Sequence, residues 1–156
     1  MARVAATTAA VAMTALAAIQ LLPVQRRNSP ASGELTAPPE VTAALRGACY
    51  DCHSSQTRWP FYSAIAPLSW LVAHDVNQGR RRLNFSDWNA YASDPQTASQ
   101  KLNRVAELVE RGAMAPWYYR LLHPGARLRG AQRRLIVQWA RQQARRVDGV
   151  VTEVVH

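Results

Sequence analysis

The chain is short of several things, and each shortage closes off a class of function. No stretch of useful length alternates apolar and polar residues, so no sheet is expected. Only two cysteines occur among 156 residues, and with no second cysteine pair the usual cysteine-built structural zinc site is incomplete. Methionine is scarce: beyond Met1 and Met13 there is only Met114. Lysine is nearly absent, since Lys101 is the single one and the other 18 basic residues are arginine. No zinc-finger, helix-turn-helix or aromatic-interleaved basic segment accompanies the net charge of +9, so nucleic acid is not an expected partner. The arginines are scattered, with short runs at 80–82, 133–134 and 145–146. They read mainly as a solvated basic surface, which would steer an acidic protein partner toward the chain.

What is present centres on Cys49-Tyr50-Asp51-Cys52-His53. This C-x-x-C-H spacing is the attachment signal for a c-type haem. Two thiols can add to the two vinyl groups of one porphyrin, and the adjacent imidazole can bind its iron from the same side. On a helix, Cys49, Cys52 and His53 stand at i, i+3 and i+4 and share a face. Three other chemistries use such a pair. A redox dithiol normally sits in a strand–helix unit, and no strand pattern precedes Cys49. A zinc site would need further ligands, with His74 or His123 as the candidates, and a disulfide is the third option. The histidine directly after the second cysteine favours haem.

The remaining chain divides around this motif. Residues 1–25 read as a membrane anchor or a signal segment: behind Arg3 the chain runs uncharged and alanine-rich from Val4 to Val24. Nineteen residues from Val4 to Leu22 would extend about 28 Å as a helix, just enough for a hydrocarbon core of about 30 Å. Ala15-Leu16-Ala17 also fits a signal-peptidase site, so cleavage near Ala17 with release is the alternative. Residues 26–38 are turn-rich and read as a linker, and 39–147 as the haem-binding domain. Within that domain, apolar spacing predicts a helix from Pro39 into the motif, another from Pro67 to about Gln78 with Gly79 as its C-cap, and a short one opened by Ser86. Longer helices are expected from Pro95 to Arg111, closed by Gly112, and from Gly130 to about Arg146. Residues 113–119 read as an aromatic loop, and 148–156 as a short, frayed tail. The fold class is all-α.

A haem iron held by His53 needs a sixth ligand or an open site. Met114 lies just past a predicted helix end with Pro116 close behind, and a thioether there would raise the potential and suit electron transfer. His74, on a predicted helix beside Asp75, is the alternative; His123 precedes Pro124-Gly125 and suggests a local structural job, and His156 in the tail is a poor candidate.

The sequence resembles the small bacterial haem-binding domain proteins that carry one C-x-x-C-H. The resemblance runs from Ile19 to about Ala140. It is carried by residues 49–54, by Thr57-Arg58-Trp59-Pro60, and by Ile65-Ala66-Pro67-Leu68-Ser69-Trp70-Leu71 with His74-Asp75-Val76. Gly79-Arg80, Leu83 to Trp88, Gly112 to Pro116, Tyr119 and Leu122-His123-Pro124 complete it. The resemblance implies one covalent haem c per chain, a cytochrome-c-like helical fold and a periplasmic location. Gln20 to Arg26 resembles the family's N-terminal anchor, which favours retention at the membrane. Two positions depart from the pattern: Ala115 separates Met114 from Pro116, and Arg129-Gly130 replaces the usual cap of the last helix.

The expected function is therefore single-electron transfer by a membrane-tethered monohaem cytochrome c, with iron on His53 and Met114. Trp59 and Trp70 are expected against the ring and Arg80 at the propionates. The redox partner would be a protein, and no catalytic residue is assigned. The alternative is a haem sensor or peroxidase-like enzyme with an open or His74-ligated sixth site.

Overall fold

Helix stop and start signals divide the chain into eight helices and two 3-10 turns, in a computed structural model that describes residues 1–154. Among these residues there is no strand, only an isolated bridge between Gly33 and Asp87. The all-α expectation holds. His156, the weakest ligand candidate, lies outside the described residues.

The first helix, α1 (Ala2–Ile19), buries none of its residues against the rest of the chain and has a mean hydropathy of 1.6. Such a helix is long and apolar enough to cross a membrane, and a signal sequence has the same character. The segment after it does not hang free. Leu35 packs against the core, Ser32 and Gly33 donate backbone N–H groups to the Ser86 carbonyl, and Leu35 donates to Phe85. The stretch read as a linker is thus a docked strap.

The core sits between α2 (Pro39–Ala48), α6 (Pro95–Glu110) and α8 (Gly130–Val154). Asp94 caps α6 by accepting from the Gln96 N–H, and Pro95 takes the first-turn position where no N–H is needed. The stripe Leu102, Val105, Ala106 and Val109 is buried against Ile136, Val137, Ala140 and Ala144 of α8. Full burial of a side chain such as Leu102 or Ile136 contributes about 1.5–3 kcal/mol. Gly112 ends α6 with φ +68, a left-handed conformation that favours glycine. Its N–H reaches the Val109 carbonyl while Ala113 N–H reaches Leu108, so two terminal carbonyls are satisfied.

Several boundaries differ from the sequence reading. The helix through the motif is broken at Cys49 (φ −124), leaving a one-turn α3 (Tyr50–His53). Gly79 does not end a helix, because α4 runs from Leu68 to Arg82 and encloses it. Ser86 caps nothing; it is fully buried, its hydroxyl accepting from Ser55 N–H, and the short α5 begins only at Asn89 (Asn89–Ala92). The aromatic loop closes early, since Trp117 opens α7 (Trp117–Leu122). The weak cap at Arg129 is compensated by Gln132, whose side chain accepts from the Arg129 N–H. Finally, α8 continues beyond Arg146 to Val154, so most of the expected tail is helical.

Candidate functional site

The motif turn keeps its three reactive side chains together despite the break. Cys49 N–H donates to Leu45 as the last bond of α2, and its own carbonyl accepts from Cys52 N–H at 3.2 Å and His53 N–H at 2.9 Å. Cys49, Cys52 and His53 therefore stay within one turn, and all three line a cleft of about 450 Å³. That volume lies within the roughly 300–1,000 Å³ typical of small-molecule and cofactor sites.

The turn is held by α4. A Cβ added at Gly79 would stand 2.2 Å from the Cys52 carbonyl oxygen, so only glycine lets the two backbones meet there. The same approach places the Gly79 and Leu83 carbonyls 3.0 and 3.1 Å from His53 Nδ1. Carbonyl oxygens only accept, so Nδ1 carries the proton and Nε2 keeps its lone pair. Burial holds the imidazole pKa below its ordinary value, which preserves the neutral, ligating form. Phe85 stands edge-on to the ring, 6.4 Å between centroids.

Both thiols are free, and burial first, then neighbouring negative groups, pushes each up to about 12. Among the described residues no cluster of three or more His, Cys, Asp or Glu is placed to hold a metal ion, so zinc lacks its further protein ligands.

Met114 lines the same cleft, supplied by the loop between α6 and α7, together with Leu108, Val109 and Pro116. His74 does not; it is exposed on α4. His123 is likewise elsewhere, stacked on Tyr119 at 3.9 Å with its Nδ1 on the Tyr119 carbonyl. Trp59 and Trp70 are absent from the cleft wall; Trp59 is half-buried and Trp70 exposed.

Arg80 needs the clearest correction. It does not line the cleft, and its guanidinium donates to the Ser54 and Arg27 carbonyls, Asn28 Oδ1 and Thr57 Oγ1, all within 2.7–2.8 Å. It ties the strap to the back of the motif turn and has little left for a propionate. The basic side chains on the cleft are instead Arg82, Lys101 and Arg104. Helical spacing held a clue to two of them, since Lys101 and Arg104 flank the buried Leu102–Val105 stripe.

Asp51, between the two cysteines, anchors the turn from its other side. It accepts from Arg58 through backbone and side chain, and from the Tyr119 hydroxyl at 2.8 Å. Burial alone would raise its pKa, but these donors outweigh burial and lower it, so the carboxylate is charged at neutral pH. Tyr119 also lines the cleft.

Two thiols, one neutral imidazole with a free Nε2, a thioether from another element and an apolar wall bordered by basic side chains fit a propionate-bearing macrocycle with a central metal. A family model described as a haem-binding domain matches residues 14–142, from within α1 to α8. No curated protein and no solved structure matches the chain.

Proposed function

Since the chain belongs to the haem-binding domain family over most of its length, we propose that it carries single electrons on one haem c, held at the periplasmic face of the membrane. The observation that carries the reading is Cys49, Cys52 and His53 on one turn of a cleft that Met114 also enters. Cys49 and Cys52 would form the thioethers, His53 Nε2 would bind the iron, and Met114 Sδ would take the sixth position. Bound there, haem iron supplies a one-electron ferric/ferrous couple.

The chain's own groups do the rest. Gly79 and Leu83 carbonyls fix the His53 ring and its tautomer, as outer partners of metal-bound histidines do. Leu108, Val109 and Phe85 would keep water from the bound group. Arg82, Lys101 and Arg104, which line the cleft, would offer the propionates counter-charges once Lys101 leaves the Arg82 carbonyl and Arg104 leaves Glu107. A basic rim of this kind would steer an acidic redox protein, and association should slow as salt is added. Charge alone does not orient α1, because Arg3 and the amino terminus face Arg26 and Arg27 across it. The periplasmic side is favoured because c-type haem is attached there, and α1 would keep the domain at that face.

Absorption spectra and intact mass of the exported protein test the reading. A mass increased by one haem and low-spin iron with a methionine–iron charge-transfer band are expected. In Met114→Ala the potential should fall and the iron turn high-spin. High-spin iron in the unaltered protein, with immediate binding of carbon monoxide or cyanide, would favour a sensor or peroxidase-like role. A colourless protein of unmodified mass would end the covalent reading.

A further inference from the structure

Outside the N-terminal segment, every large hydrophobic side chain that is exposed among the described residues falls in two stretches, 61–71 and 117–122. Phe61 is 82 % exposed, Trp117 67 % and Leu122 65 %, while α6 and residues 130–149 of α8 contribute none. The two stretches meet across a groove of about 150 Å³ whose walls include Leu68, Leu71, Tyr118 and Leu122. Phe61 lies against Tyr62 and Trp117 against Tyr118, with ring centroids 5.6 and 5.8 Å apart. Isolated exposed apolar residues are ordinary, but a contiguous patch of this kind marks an interaction site.

The chain itself indicates what covers the patch. Gln20, which caps α1, is clamped to Ala66: its Nε2 donates to the Ala66 carbonyl at 3.1 Å, and its Oε1 accepts from the Ala66 N–H at 3.0 Å. The end of the apolar helix is thereby fixed two residues before Leu68, at the margin of the patch. Aromatic side chains concentrate where a membrane protein meets the headgroups. Arg26 and Arg27 follow α1, and Arg120 stands between Trp117 and Leu121 on α7, giving positive charge beside apolar surface, as interfacial segments have.

We propose that the face formed by 61–71 and 117–122 lies in the headgroup–acyl boundary of the same bilayer that α1 crosses, so that the domain rests on the membrane by two contacts. This rests on reading α1 as a retained anchor. The groove and the cleft share Asp51, Cys52 and Tyr119 in their walls, so this second contact sets how far the cleft stands from the lipid.

The test uses the full-length, haem-loaded chain in vesicles of phosphatidylethanolamine and phosphatidylglycerol. Photo-reactive benzoyl-phenylalanine replaces Phe61, Trp117 or Leu121 one at a time, with Arg141 on α8 as the control position. Illumination should give lipid adducts at the three patch positions and none at 141. A chain that survives an alkaline carbonate wash but forms no lipid adduct at those positions, or cross-links there to a second copy, overturns the inference and leaves the anchor intact. A chain released by the wash defeats the anchor reading, and the inference with it.

Discussion

The contact between α6 and α8 and the contact between α3 and α4 are both helix packings, yet they are made from different parts of the chain. Leu102, Val105 and Val109 meet Ile136, Val137 and Ala140 side chain to side chain. At the motif, backbone meets backbone: Gly79 admits the Cys52 carbonyl, and the carbonyls of Gly79 in α4 and of Leu83 just past its end accept from His53 Nδ1–H. The first contact buries apolar area and is non-directional, so it tolerates adjustment. The second fixes one ring in one orientation and leaves no space for even a methyl group. Stability is concentrated in the first contact and the chemistry in the second.

Perturbations of each side should separate the two. His53→Ala has the largest expected effect, loss of haem incorporation, with far-ultraviolet circular dichroism still helical; normal haem loading in this variant would show that the motif turn is not the ligating element. Leu102→Ala acts on the other contact and should cost about 2–5 kcal/mol in denaturant unfolding, while the absorption spectrum of the folded fraction stays that of the parent. A changed spectrum there would mean that the two contacts are not separable. Gly79→Ala adds a methyl group where backbone blocks it and should cost about 1–3 kcal/mol. Unlike Leu102→Ala it should also lower haem loading, because the carbonyls that orient His53 move with the helix. Asp94→Ala, which removes only the α6 cap, should cost about 1 kcal/mol and leave loading untouched, as measured by melting and by haem content.

Much of the first contact could be read from the sequence. The stripes of α6 and α8 have helical spacing, and Asp94-Pro95 and Gly112 bound α6 by local rules that need no knowledge of the fold. The motif was equally plain, because two thiols and an imidazole at that spacing serve few chemistries. Other features depended on which elements cross. Gly79 followed by arginines has the local form of a helix end, and only the approach of Cys52 explains a glycine inside α4. Arg80 next to it suggested a counter-charge for an acid, whereas four oxygens on the strap and motif turn occupy it. Trp59 and Trp70 are expected against the ring, but neither lines the cleft. Arg82, Lys101 and Arg104 were missed since they come from two helices whose convergence is tertiary.

The strap between α1 and α2 carries a kinetic consequence. An unattached chain of that length would act as a leash, giving the domain a roaming distance on the order of 20 Å. With Leu35 docked, Arg80 bonded to the Arg27 carbonyl and Gln20 clamped to Ala66, that leash is taken up. Under the proposed function, such a domain would not swing between donor and acceptor: its partners would have to diffuse to it, and turnover would follow their abundance rather than the reach of a flexible arm.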